Sequence, residues 1–394
     1  MTGELPSGPR LTSRFPVGYY QLHPDVALNY QMNRFWNWVG EDRMLNELRD
    51  AAQRIQSYEN WTGEFLHRSD LSLAEGRRLA AAYYARMAEF YMHSDDPRRL
   101  AARQRFRENV LEEMGVTGKD HYLVPYQDTA LSAYRFKPLS PAGRLVVFGG
   151  FDSYIEEWFP MLLAMRDAGL DVVGFDGPGQ GAALEEGVPM TPDWHLPVGA
   201  VLDYFGLADV TLLGFSLGGC LVVRAAAYEP RVRRVVAQDI LTDFMACQLR
   251  ALSGPGRFVV ANSGHLPATI VNAAVNAARR SSMLVDWGMG QGLRVLGQKT
   301  PAGAFTAIRR LRTDDVSPLV TQDVLLMAGS HDHYVPVSQL GDQLATLANA
   351  ESVSARLFTE AEHASNHCQV GNFGLALDVI LSWLDSVGGK EARP

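Results

Sequence analysis

A chain of 394 residues, 47% hydrophobic and 20% charged, is too apolar to remain disordered and long enough for one large domain with a second attached. Its net charge of −8 leaves no basic surplus for nucleic acid or an anionic membrane surface, so neither is an expected partner. Three scattered cysteines (Cys220, Cys247, Cys368) and no CxxC rule out a disulfide framework and fit a reducing cytosol. The N-terminus lacks the apolar run of a signal peptide, and no segment has the roughly 20 apolar residues that cross a bilayer, so a soluble, cytoplasmic protein is expected.

From about residue 24 to 115 the chain reads as helical. The stretches "MLNELRDAAQRIQSY", "SLAEGRRLAAAYYARMAEFYMHS" and "PRRLAARQRFRENVLEEMG" repeat apolar residues at three- and four-residue steps with few β-branched side chains. Leu71, Leu73, Leu79, Ala82, Tyr83 and Met87 fit one apolar face, so these helices must pack on something. Residues 1–118 are therefore assigned to an N-terminal helical unit. Within it "MNRFWNWVGE" (residues 32–41) is rich in aromatics, and ordinary packing against the rest of the protein is the favoured reading.

After Lys119 the pattern changes to short apolar runs, most of them bounded by Gly, Pro or Asp: "HYLVPY", "SAYRFKP", "RLVVFGG", "DVVGFDGPG", "DVTLLGFS", "RRVVAQD", "DVLLMAGS" and "SVSARLF". Helix-like stretches at 156–167, 195–205, 217–227, 337–348 and 373–387 separate the later ones. Apolar runs alternating with helices predict an α/β fold: eight strands in a mostly parallel sheet, covered by helices on both faces. The first two runs are too close for a crossover helix and should pair antiparallel. Residues 242–318 far exceed the usual αβ connection of about 2–6 residues, and this insertion, with its helix-like "PATIVNAAVNAARRSSML" and glycine-rich "DWGMGQGLRVLG", is expected to form a cap over a site.

The strand "DVTLL", the turn "GFSLGG" and the helix "LVVRAAAYE" follow one another directly, the context in which G-x-S-x-G marks a nucleophile elbow. Such a turn strains the serine backbone and leaves no room for side chains at Gly214 and Gly218. It lifts Ser216 to the end of the sheet, beside the free N–H groups of a helix N-terminus. Ser216 is thus the expected nucleophile, and it needs a base. The chain order of nucleophile, acid and histidine places the acid at Asp332 in "VLLMAGSHDHYVP", just past the seventh strand; Asp323 precedes that strand and lies at the wrong edge.

The base falls in "EAEHASNHCQVGN", the loop after the last strand, which holds His363 and His367. Position alone does not choose between them. A metal site built on the two histidines and a Cys368 nucleophile are the competing readings; the first lacks further ligands on a helix and the second leaves Ser216 without a role. Oxyanion donors are expected from the Leu217 amide and from "FGGFDSYIEEW" through Gly150 or Phe151. In that loop Asp152, Glu156 and Glu157 suit a helix start, and Asp152 and Glu157 are also candidates for substrate contact. "DGPGQG" (residues 176–181) lacks the Lys-Ser/Thr of a phosphate loop and reads as a tight turn shaping the site. No metal or cofactor is expected.

With these residues placed, the chain resembles an alpha/beta hydrolase. It is similar to the branch with an N-terminal helical extension that includes 2,6-dihydroxypseudooxynicotine hydrolase, FrsA-like proteins and fungal polyketide-shortening hydrolases of pigment pathways. The motifs are "GGFDSYIEE", "DGPGQG", "GFSLGG" and "NHCQVGN", spanning residues 149 to 372. In the branch the histidine before Cys-Gln is the base, which selects His367; the "ASN" preceding it departs from the acidic residues common there. The resemblance implies a 119–394 catalytic domain, a helical extension near the mouth of the site, a homodimer, and hydrolysis of a C–C bond in a small carbonyl substrate. Ester or thioester cleavage is the main alternative, and acyl transfer or cyclisation on the same scaffold is another.

Overall fold

The computed structural model describes residues 11–250 and 252–388. Helices α1 (Val26–Val39), α2 (Asp42–Ala52), α3 (Tyr58–Ala74), α4 (Arg78–Phe90) and α5 (Arg99–Glu113) come first. Asp25 caps α1 by accepting from the amides of Ala27 and Leu28, and Ser57 caps α3 through Asn60. The apolar run over residues 72–94, expected as one helix, is broken between α3 and α4. Gly76 there takes φ +77°, a left-handed conformation that reverses the chain. The reversal leaves Leu71 and Leu73 outside at 48% and 39% exposure, whereas Ala82, Tyr83 and Met87 are fully buried.

The sheet contains β1 (His121–Tyr126), β2 (Thr129–Phe136), β3 (Gly143–Phe148), β4 (Leu170–Phe175), β5 (Val210–Phe215), β6 (Val232–Gln238), β7 (Asp323–Gly329) and β8 (Ser352–Phe358). Their spatial order is β1-β2-β4-β3-β5-β6-β7-β8. β1 pairs antiparallel with β2, β2 antiparallel with β4, and all other neighbours are parallel. The expected eight-stranded, mostly parallel sheet is therefore present. Because β3 lies between β4 and β5, the chain leaves β3 toward one side and later returns on the other. The connections diverge there and open a crevice at the carboxyl ends of β3 and β5, where doubly wound sheets bind ligands.

Between the strands lie α6 (Phe159–Asp167), α7 (Gly181–Glu185), α8 (His195–Phe205) and α9 (Leu217–Ala226). Side-chain alternation along the strands feeds a core on each face. Leu213 and Phe215 of β5 face one side, packed with Trp158 and Phe159, while Leu212 faces the other with Val198 and Val222. Burial on both faces explains why these strands read as unbroken apolar runs.

The insertion between β6 and β7 is helical: α10 (Phe244–Arg250), α11 (Gly254–Ala261), α12 (Ala268–Arg279), α13 (Met283–Val295) and α14 (Pro301–Ile308). α13 forms from the glycine-rich stretch, although each interior glycine costs about 1 kcal/mol relative to alanine. Trp287 anchors it by stacking on Phe90 at 5.2 Å and donating from Nε1 to the Phe90 carbonyl at 3.1 Å. Helices α15 (Ser338–Thr346) and α16 (Phe373–Gly388) flank β8.

The aromatic stretch of α1 packs where it was expected to: Met32, Phe35, Trp36 and Trp38 are buried, and Trp38 stacks on Phe373 of α16 at 4.1 Å. A buried ionic joint adds to this apolar contact. Both Arg34 of α1 and Arg86 of α4 reach Glu157 at 2.6 Å, and the Tyr83 hydroxyl donates to the Glu157 carbonyl at 2.9 Å. No single described helix is long and apolar enough to cross a membrane.

Candidate active site

Between β5 and α9, Ser216 adopts φ 58°, ψ −121°, a strained conformation worth about 1–3 kcal/mol that persists because its surroundings fix it. Its amide donates to the Gln238 carbonyl at 2.8 Å. A Cβ on Gly214 would lie 2.1 Å from the Gly218 carbonyl oxygen, so the turn closes only around glycine.

Loops from two other strands meet this serine. His367, in the loop after β8, places Nε2 2.8 Å from Ser216 Oγ, and its Nδ1 lies 2.6 Å from Oδ2 of Asp332, just past β7. The second Asp332 oxygen accepts from the amides of Tyr334 (2.7 Å) and Val335 (2.8 Å), which leaves the first aimed at the imidazole. Tyr30 of α1 donates to the His367 carbonyl at 3.2 Å, so an N-terminal helix holds the histidine loop. His363 is exposed on a short turn, and Asp323 lies at the opposite end of β7, where its carboxylate accepts from Ser352.

The charges in this cluster are coupled. Burial, the largest single influence, opposes an imidazolium at His367, but Asp332 together with Cys368, Tyr30 and Asp239 outweighs it and raises the pKa well above the usual 6.5. Burial likewise opposes the Asp332 carboxylate, yet His367 holds its pKa down at about 2. Such a pair stabilises an imidazolium after proton uptake from the serine. The Cys368 thiol is buried, which pushes its pKa up and keeps it a thiol, and it points to the Gln238 carbonyl at 3.6 Å.

Gly150 closes the site from the β3 loop. A Cβ there would stand 2.8 Å from the Phe215 carbonyl oxygen and 3.0 Å from both the Leu217 nitrogen and Ser216 Cβ. Gln180, next to α7, donates from Nε2 to the carbonyls of Gly149 (2.6 Å) and Gly150 (2.9 Å), while its Oε1 accepts from the Gly177 amide. With the Gly150 carbonyl turned to Gln180, the Phe151 N–H on the same trans peptide points the opposite way. Neither the Leu217 nor the Phe151 amide donates to a protein acceptor among the described residues.

Residues 143–367, from β3 to the histidine of this relay, match the family model for the alpha/beta hydrolase fold. The chain belongs to that family. It is similar to the hydrolyase poxO of Penicillium oxalicum, with 29% identity over 356 residues, 82% of this chain and 84% of the relative. It is also similar to the 20-hydroxy-prefusarin hydrolase FUS2 of Gibberella moniliformis, with 27% identity over 370 residues and 86% of each chain. The crystal structure of 2,6-dihydroxy-pseudo-oxynicotine hydrolase shares the fold at TM-score 0.62 and 20% identity, over 89% of this chain and 94% of that one. These coverages exceed what the sheet-bearing part alone supplies, so the likeness extends into the N-terminal helices.

One expectation about this hydrolase needs adjustment. Glu157, a candidate for substrate contact, is fully buried, with one oxygen on Arg34 and the other on Arg86. It is a joint between the helical extension and the sheet, and no oxygen of it faces open space. Asp152 pairs with Arg34 at 3.2 Å and stays partly exposed on the same cavity wall as Phe151.

Two residues of the site escaped sequence reasoning. Gln180 was legible only as part of a turn. Asp239, just past β6, sits 3.4 Å from His367 Nδ1 and accepts from the Cys368 amide (2.6 Å) and Gln369 Nε2 (2.9 Å). Burial and the adjacent Asp332 push its pKa up to about 7. Its position at a strand's carboxyl end, parallel to that of Asp332, was the available signal. The Asp239, His367 and Cys368 ligand atoms lie within 4.8 Å of one another, but the Asp239 oxygens and His367 Nδ1 are already hydrogen-bonded within the protein.

Proposed function

We propose that this alpha/beta hydrolase is a serine-triad enzyme that cleaves a C–C bond next to a ketone in a small, polyketide-like molecule. The carrying observation is the continuous relay from Asp332 through His367 to Ser216, at 2.6 and 2.8 Å. His367 takes the hydroxyl proton as Ser216 Oγ bonds to the carbonyl carbon, and the resulting oxyanion is met by the free amides of Leu217 and Phe151. Collapse of the intermediate breaks the C–C bond; the departing carbon keeps the electron pair and receives the proton from His367. Water, deprotonated by the same imidazole, then releases the acid and frees the serine. The leaving carbon must hold charge, as an electron-rich aryl ring or a β-dicarbonyl enolate does.

Two considerations support this choice of bond. The motifs resemble those of the C–C-cleaving branch, and one relative is named as a hydrolase of 20-hydroxy-prefusarin. Ester cleavage uses the same atoms, so the test carries both arms. Purified protein is incubated with aryl ketones or β-diketones and with matched esters, and products are weighed by mass spectrometry for the addition of one water. Labelling by a fluorophosphonate identifies the nucleophile. Loss of labelling and turnover in Ser216→Ala and His367→Ala, with both retained in His363→Ala, is expected; full activity of Ser216→Ala overturns the reading. Water addition to esters alone would move the assignment to an esterase, and substrate coupling without water addition would move it to acyl transfer or cyclisation.

A further inference from the structure

A cavity lies outside the relay, between the N-terminal helices, the insertion and the loops at the carboxyl end of the sheet. Glu89 of α4, Arg99 of α5, Phe151 after β3, and Trp287 and Arg294 of α13 form its walls. Phe151, whose amide lies on the oxyanion side of Ser216, also lines this cavity, so the two adjoin at that residue.

The charges on its walls do not balance. Both Glu89 oxygens are taken, one by Arg86 at 2.6 Å and the other by Arg99 at 2.5 Å. Asp152 is engaged by Arg34. Arg294 has no carboxylate within 4.0 Å and no hydrogen-bond acceptor among the described residues, although it is half-buried on the cavity wall. Behind Tyr154, which also faces the cavity, Arg103 lies 3.6 Å over the ring; its buried Nε and Nη1 make no hydrogen bond, although Nε lies 3.9 Å from a Glu185 oxygen. Burial and the nearby Arg99 lower the Arg294 pKa, and the more distant Glu185 and Glu89 offset this only in part, the reverse of the upward shifts at Arg34, Arg99 and Arg103. A guanidinium does not give up its proton in a protein, so Arg294 remains a partly desolvated cation with no carboxylate in direct contact.

We propose that Arg294 binds a carboxylate of the substrate, remote from the carbonyl attacked at Ser216, and so makes this enzyme selective for acidic substrates. A planar carboxylate offers two acceptors to the guanidinium fork. The insertion thereby contributes a specificity group to the site as well as a roof. This proposal rests on the serine-hydrolase reading for its kinetics but not for its binding.

The kinetic test uses mono-p-nitrophenyl esters of adipic, suberic and sebacic acids against p-nitrophenyl esters of the same chain lengths that end in a methyl group. At one or more lengths, wild-type kcat/KM should favour the carboxylate-tipped ester at least tenfold. In Arg294→Gln that ratio should fall to near one, mainly through KM, and Arg294→Lys should recover part of it. A wild-type ratio near one, or a loss in Arg294→Gln that is equal for both ester types, overturns the proposal. The second measurement is calorimetric binding of suberamate and octanamide to Ser216→Ala, with and without Arg294→Gln. Suberamate should bind at least tenfold more tightly, and only while Arg294 is present; equal binding of the two overturns the proposal. If no ester turns over and no fluorophosphonate label appears, the hydrolase reading fails while calorimetry still decides the anion site.

Discussion

Asp239 brings a carboxylate oxygen within 3.4 Å of His367 Nδ1, from the strand next to the one that delivers Asp332. The imidazole thus has a bonded acid at 2.6 Å and a second one in reserve. In serine proteases, converting the triad Asp to Asn lowers kcat by about 10⁴. Here Asp332→Asn should cost less, about 10³-fold, because Asp239 can still orient and charge-stabilise the ring. Asp239→Asn should cost about tenfold or less, and the double variant should fall to the level of Ser216→Ala. The measurement is kcat/KM on one activated ester. A double variant no worse than Asp332→Asn would deny Asp239 any role.

The pH profile follows from the same cluster. The proposed mechanism needs neutral His367, so kcat/KM should rise as pH passes upward through the imidazole pKa. Burial lowers that pKa, but Asp332 and its neighbours reverse the shift, so the acid limb should have its midpoint above 6.5. Asp332→Asn removes the largest raising charge and should move the midpoint down. A wild-type midpoint below 6 contradicts this account of the charges.

The Glu157 joint makes a stability prediction. Glu157→Ala leaves Arg34 and Arg86 buried without one shared partner, and such losses cost about 3–5 kcal/mol. Urea denaturation should show the unfolding free energy lowered by that amount, read as a lower midpoint at unchanged slope. Glu75→Gln, at an exposed pair with Arg43, should leave the midpoint where it is. A Glu157→Ala chain as stable as wild type would show that the apolar contact of α1 holds the joint alone.

Gly150→Ala separates activity from folding. The added methyl meets the Phe215 carbonyl oxygen at 2.8 Å and crowds the Leu217 amide, so the loop must shift by a few tenths of an ångström at the proposed oxyanion site. Losing one such donor typically costs 10²–10³ in kcat. That loss, with a melting temperature lowered by only a few degrees, is expected. A fully active Gly150→Ala would remove this loop from the oxyanion hole.

Local signals carried far in this chain because the chemistry needs strained, crowded turns. "GFSLGG" between a strand and a helix has few other uses, and the carboxyl end of β7 has one acidic residue suited to orient a base. The Ser72–Ser94 run misled because apolar periodicity continues through Gly76, and only the reversal of the chain shows which residues face out. Glu157 misled in another way: acidic residues at a helix start suit a cap, a substrate contact or an ion pair equally, and its arginines lie 71 and 123 positions away.

The sequence by itself determined the sheet, the elbow serine and the loop that holds the base, since strand periodicity, glycine spacing and chain order are local or sequential properties. Tertiary structure decided which charges meet. Asp239 beside His367, Gln180 on two carbonyls, and Arg34 and Arg86 on Glu157 are all contacts between segments distant in the chain. Electrostatic and hydrogen-bond energies depend on separations of a few ångströms, and spacing along a sequence does not encode those once the chain has folded back on itself.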